Sequence, residues 1–143
     1  MDKPIPTRKF LIATHGTLAS GIKSSLDIII GATNNLFLIQ AYTEENKSLE
    51  DEIVAILEQI SDDEELIVFS DLLGGSVTNQ ILQYGLRSNV HVVSGFNLAL
   101  IIEILLSDTE VRSEKVINEA IDNAKSQMVY VNQLLTIQDN END

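Results

Sequence analysis

His15 and Asp71 lie far apart in the chain, yet each has the residue type and setting that nucleophilic chemistry requires. A neutral imidazole is nucleophilic at one ring nitrogen only when the other carries the proton. A carboxylate that accepts a hydrogen bond from that proton fixes the tautomer and orients the ring. It also stabilises the positive charge that builds as the ring attacks. His15 follows the apolar run Phe10-Leu11-Ile12-Ala13, and Asp71 follows Leu66-Ile67-Val68-Phe69 and Ser70. Singly, His15 could be a histidine bonded to its own loop and Asp71 a turn or helix cap. At the ends of two neighbouring strands they form a working pair. After Asp71 come Leu72, Leu73, Gly74, Gly75 and Ser76. Gly74 and Gly75 let backbone approach an anion closely, and Ser76 starts a helix whose first N–H groups are unpaired and carry partial positive charge. Such donors hold a phosphoryl group without a covalent role. The plainer reading makes both glycines a tight turn and Ser76 an N-cap. Leu72 and Leu73, apolar at a loop tip, suit the docking of a protein partner or fold back over the sheet.

The elements that must position these residues follow from periodicity. Phe10–Ala13, Leu36–Ala41, Leu66–Phe69 and Val90–Val93 read as strands buried on both faces. Helical spacing joins Leu18, Ile22, Leu26 and Ile29, with Gly31 as a stop, and Leu49, Ile53, Ile56, Leu57 and Ile60, with Ser48 as N-cap. Three more helices are expected around Ile81–Leu86, Leu98–Leu106 and Val116–Ala124. Strand–helix alternation implies an α/β fold, an open and mostly parallel sheet with helices on both faces. Ligands then gather at the carboxyl ends of the strands, where Thr14–Thr17, Ser70–Ser76 and Ser94–Asn97 stand. Met128–Val131 fits a last short strand or the end of the fifth helix. A single domain spans 1–137, and the acidic stretch 138–143 reads as a disordered tail.

Composition excludes much else. The 143 residues carry a net charge of −13, which argues against nucleic acid and anionic membrane partners. With no cysteine, disulfides, thiolate catalysis and Cys-based metal sites are ruled out. No run reaches the ~18 apolar residues of a membrane span, and no signal peptide is visible, so a cytoplasmic protein without membrane insertion is expected. Gly16–Ser24 nearly matches a phosphate-binding P-loop, but its lysine falls one residue late and Gly21 lies inside the helix. Neither G-x-G-x-x-G nor G-x-S-x-G occurs. His91, at the start of a strand, reads as structural. Two distant histidines with Asp71 make a poor metal site, and no cofactor is expected. Asp62-Asp63-Glu64-Glu65 reads as a solvated turn.

With these motifs in place, the chain resembles the enzyme IIA component of the mannose/fructose/sorbose family of the bacterial phosphotransferase system (PTS). Three stretches carry the resemblance between Phe10 and Leu106. They are His15-Gly16 with Leu18–Ile22 and Gly31, then Asp71-Leu72-x-Gly74-Gly75-Ser76-x-x-Asn79, then Ser94–Leu98. The resemblance implies that His15 accepts a phosphoryl group from the phosphohistidine of HPr. It passes the group to an enzyme IIB component, which phosphorylates sugar entering through a membrane permease, and Asp71 orients the histidine. It further implies a homodimer in which an added antiparallel edge strand is exchanged, favouring a strand at Met128–Val131. The chain departs from the family pattern at Val77, where proline is frequent, at Leu73, where an aromatic is common, and at Ala99-Leu100, in place of Pro-Met.

Three alternatives remain at this stage. The phosphocarrier subunit of a dihydroxyacetone kinase has a similar domain, although the Gly74–Ser76 and Gly95–Asn97 loops favour the sugar system. A receiver-like signalling module would be phosphorylated on Asp71, but its acidic metal ligands should end the first strand, where Thr14 and His15 stand. A regulatory domain that has lost transfer is the third.

Overall fold

Strand β1 (Thr7–His15) is buried from Phe10 through Thr14, and its side chains divide between two cores. Leu11 and Ala13 point to one face of the sheet, Phe10 and Ile12 to the other, as the two-residue period of a strand requires. The computed structural model, which describes residues 4–33 and 35–142, continues through α1 (Leu18–Ile30), β2 (Leu36–Ala41), α2 (Leu49–Leu57), β3 (Glu64–Ser70), α3 (Ser76–Gly85), β4 (Val90–Ser94), α4 (Leu98–Leu105), α5 (Ser113–Lys125) and α6 (Val131–Asn142). The sheet has order β2-β1-β3-β4, and every pairing is parallel. The four-stranded α/β sheet expected from the sequence is therefore the observed one.

Helix amphipathicity assigns the layers. Ile53, Ile56 and Leu57 of α2 and Val77 and Ile81 of α3 pack with Leu11, Leu66 and Val68 on one face. Leu26 of α1, Leu100, Ile101 and Ile104 of α4, and Val116 and Ala120 of α5 pack with Ile12, Ile67 and Phe69 on the other. The Phe10 and Phe69 rings stack across β1 and β3, with centroids 6.4 Å apart. Because α1 and α2 lie on opposite faces, the chain reverses its direction of travel across the sheet between β1 and β3. Their carboxyl ends flank the switch point where such folds place ligands. Ser48 caps α2 by accepting from the Asp51 N–H, and Asn97 caps α4 by accepting from the Leu100 N–H. Among the described residues no helix is long and apolar enough to cross a membrane.

Three expectations differ from the structure. Among the described residues Met128–Val131 is neither an edge strand nor the end of α5. Met128–Tyr130 connect the two helices without pairing to the sheet, and Val131 opens α6. A strand forms only where ladder bonds satisfy its backbone. Here the Tyr130 carbonyl instead accepts from the Gln133 and Leu134 N–H groups and starts a helix. The helix runs through Asn142 over most of the acidic stretch 138–143, and Asp143 lies outside the described residues. The acidic run 62–65 is only partly a turn. Glu64 and Glu65 already belong to β3, where Glu64 pairs with Lys9 at 3.0 Å and Glu65 lies 2.5 Å from His91.

Arg8 anchors the far end of the fold. It is 8% exposed. Its guanidinium donates to Ser113 Oγ at 2.9 Å, Ser107 Oγ at 3.3 Å, the Asp108 carbonyl at 3.2 Å and the Val111 carbonyl. The α4–α5 connection is thereby tied to the base of β1. Arg8→Ala strands these acceptors in a buried site. We expect it to lower the unfolding free energy by about 2–4 kcal/mol, measured by urea denaturation.

Candidate functional site

β1 and β3 are adjacent, with Ala13 opposite Ser70. The first residues past that register bring His15 and Asp71 together. Asp71 Oδ2 accepts from His15 Nδ1–H at 2.9 Å and from the His15 backbone N–H at 2.8 Å. One carboxylate oxygen thus orients both the ring and the strand end that carries it. A carboxylate only accepts, so the proton sits on Nδ1 and the lone pair on Nε2. The His15 side chain is 38% exposed and that of Asp71 11%. The imidazole therefore stands at the surface, while its carboxylate partner is largely sheltered. Burial pushes the Asp71 carboxyl up, but the hydrogen bonds from the His15 backbone and ring outweigh it and hold the carboxyl below its ordinary range.

The loop after β3 wraps this pair. Gly74 has φ +78°, a left-handed turn that glycine adopts without strain. Gly75 is close to the ring. A Cβ there would lie 3.1 Å from Leu72 Cβ and 3.5 Å from His15 Cε1. Its N–H donates to the Leu72 carbonyl, so Gly75 serves the site by proximity and not by that donor. Thr78 Oγ1 bonds the Leu72 carbonyl at 2.6 Å and Ser70 Oγ at 2.7 Å, locking the loop to the strand it leaves. Ser76, the first residue of α3, places Oγ 3.2 Å from His15 Nε2. Leu72 and Leu73 are 59% and 83% exposed at the rim, so they do not fold back over the sheet. The third loop lies beside the site without a bond to His15. The Gly95 N–H donates to the Ser70 carbonyl, and Asn97 links α4 to the Ala124 carbonyl.

The family model of the PTS system fructose IIA component (EIIA-man) matches residues 9–123. The chain belongs to this family. Among solved structures, the IIA chain is similar to a protein of Klebsiella pneumoniae subsp. pneumoniae MGH 78578 named as a phosphoenolpyruvate-dependent sugar PTS permease. The two are 35% identical with a TM-score of 0.87, covering 94% of this chain and 98% of that one. It is also similar to the PTS component EIIA of Streptococcus agalactiae, with 28% identity, a TM-score of 0.74 and coverage of 89% and 99%. A third is the PTS IIA protein associated with the fucose utilization operon of Streptococcus pneumoniae, with 27% identity, a TM-score of 0.78 and coverage of 93% and 99%. None of the curated proteins compared with the chain matches it.

Two residues of this IIA site escape sequence reasoning. Tyr42, just past β2, sets its ring 5.7 Å from the imidazole and its hydroxyl 2.8 Å from Ser76 Oγ. Gln80 of α3 donates from Nε2 to the Tyr42 hydroxyl at 3.3 Å. The available signal for Tyr42 was position, because β2 is the other neighbour of β1 and its carboxyl end opens on the same edge.

The pH dependence of stability follows from Asp71. A carboxyl held low in the folded state stabilises it above the unfolded value of about 3.9, and that contribution is lost as pH falls through the folded value. Asp71→Asn should therefore lose stability relative to wild type at pH 6–7 by more than it does near pH 3. Urea unfolding of both proteins across that range measures the difference.

Proposed function

We propose that the single domain 1–137 is a phosphohistidine carrier of the sugar phosphotransferase system. His15 accepts a phosphoryl group from phosphorylated HPr and delivers it to an enzyme IIB component for coupled sugar uptake and phosphorylation. The observation that carries this reading is the Asp71 hold on Nδ1, which leaves an exposed, unprotonated Nε2. The Nε2 lone pair forms the new N–P bond while the donor's P–N bond breaks and its electron pair returns to the donor's ring nitrogen. Positive charge on the His15 ring is offset by the Asp71 carboxylate. The same charge makes the ring a good leaving group in the next transfer. Ser76 and the Gly74 backbone at the start of α3 hold the phosphoryl oxygens, Gly75 gives them clearance beside the ring, and the α3 N-terminus contributes its dipole. Leu72 and Leu73 form an apolar rim where HPr or enzyme IIB docks.

The receiver-like alternative loses ground here because Asp71 Oδ2 is already engaged by both His15 donors. The family match and the similar PTS structures support the sugar system over the dihydroxyacetone one. A cytoplasmic location goes with these partners. Incubation with phosphoenolpyruvate, enzyme I and HPr should add one phosphoryl increment to the intact mass of the wild type, stable in base and labile in acid. His15→Ala should keep its circular dichroism and gain none. Phosphate uptake by that variant would sink the assignment.

A homodimer also fits the chain. Strand β4 is at the end of the sheet order, and Met128, Val129, Tyr130 and Val131, after α5, are exposed. A second copy docked here would cover both an open sheet edge and exposed apolar side chains. Light scattering should give about twice the 15.8 kDa chain mass. The chain mass alone at micromolar concentration would remove the dimer.

A further inference from the structure

Tyr42 is the exposed aromatic of the site, and its backbone is unusual. Its φ is +68°, in the left-handed region that bulky L residues rarely adopt. The residue is 63% exposed, so burial of the ring does not explain the conformation. Such backbones persist where surrounding contacts over-determine them, and they cluster at functional sites. The contacts here are hydrogen bonds at the phenolic oxygen.

The directions of these bonds follow from one fixed end. Asp71 forces the proton onto His15 Nδ1, so Nε2 only accepts. The Ser76 hydroxyl then donates to Nε2 at 3.2 Å. Having given its one proton, Ser76 Oγ accepts from the Tyr42 hydroxyl at 2.8 Å. Tyr42 Oη in turn accepts from Gln80 Nε2–H at 3.3 Å. Every donor in the chain points toward His15.

We propose that Tyr42 is a phosphoryl-binding residue of this site and that Gln80 is the positioning residue that aims its hydroxyl. The inference rests on the carrier reading and deepens it. Once Nε2 is bonded to phosphorus it has no lone pair left, and the Ser76 hydroxyl loses its acceptor. The nearest new acceptors are the phosphoryl oxygens on Nε2 itself. Ser76 has one proton to offer against three oxygens. The next proton in line is that of Tyr42, one hydrogen bond further out and already directed inward. Gln80 occupies the outer side of Oη, which keeps the phenolic proton on the site's side. The ring, tilted 44° to the imidazole, walls one flank of the same space.

Tyr42→Phe isolates the hydroxyl, since it keeps the ring and its Cβ. The probe is phosphorylated HPr, equilibrated with each protein at fixed total phosphate, and the ratio of phosphorylated to free protein is read by intact mass. For Tyr42→Phe that ratio should fall about tenfold, the scale of one hydrogen bond to a charged acceptor. Tyr42→Gly, which relieves the backbone, should fall at least as far with no loss of melting temperature. In a Ser76→Ala background the Tyr42→Phe effect should persist. If it vanishes there, Tyr42 acts only through Ser76 and direct contact is overturned. A wild type that is phosphorylated, with Tyr42→Phe at the same ratio, overturns the Tyr42 assignment alone. A wild type that takes up no phosphoryl group overturns the carrier reading and this inference together.

Discussion

A single oxygen, Asp71 Oδ2, accepts two hydrogen bonds from one residue, and the chemistry of the site depends on that arrangement. The ring bond selects the tautomer. The backbone bond satisfies the N–H of the last residue of β1, a donor that the sheet no longer pairs at that edge. Removal of the carboxylate would therefore release both the orientation of the ring and the position of its Cα. For the two residues to meet, β1 and β3 must be parallel neighbours ending at the same level. That in turn requires α1 and α2 to lie on opposite faces. The two cores enforce this placement. Leu11 and Ile12 are adjacent in sequence yet belong to different cores, so a slip of one residue in β1 would exchange their environments and rotate His15 away from Asp71.

The loop between β3 and α3 has to pass close to the imidazole without displacing it. Gly74 turns the chain through a left-handed conformation, and Gly75 provides clearance where a Cβ would press on Leu72 at 3.1 Å. Thr78 then holds the loop from the buried side by bonding both Ser70 and the Leu72 carbonyl. Rigidity on that side and openness at the rim are complementary. The polar contacts that fix geometry are inside, and Leu72 and Leu73 leave apolar surface exposed at the rim.

Much of this was legible in the residues. Four apolar runs of strand length between helical periodicities give the parallel sheet, because only crossover connections can link such strands. His15 and Asp71 were legible because each stands at the carboxyl end of a buried strand, so their meeting needed only one assumption about strand order. Tyr42 and Gln80 were not legible. Tyr42 follows a strand of mixed exposure, and nothing in Tyr-Thr-Glu-Glu announces a positive φ, for which glycine or asparagine is the usual marker. Arg8 was also hidden, since an arginine between a threonine and a lysine reads as solvated. Its acceptors come from residues about a hundred positions away. At Met128–Val131 local pattern admits both helix end and strand, and a strand there needs an edge outside the segment itself. Such a pairing is a tertiary or quaternary property that periodicity does not encode.

The charge of the site bears on what it can do. The chain carries a net −13, yet screening limits distant charges to about 8 Å at physiological ionic strength, so the local groups decide how an anion is held. Those placed around His15 are a carboxylate, a serine hydroxyl, a phenol and a glycine-rich turn at a helix start. None of these is a fixed cation. Neutral donors hold a phosphoryl group less tightly than an arginine fork would. A terminal phosphate-binding site gains from tight retention, but an intermediate carrier is slowed by it, because each increment of ground-state binding must be surrendered when the group leaves. For the proposed carrier, a site built from a few neutral donors and an imidazolium offset by one sheltered carboxylate would suit passage of the phosphoryl group, which favours a relay over a store.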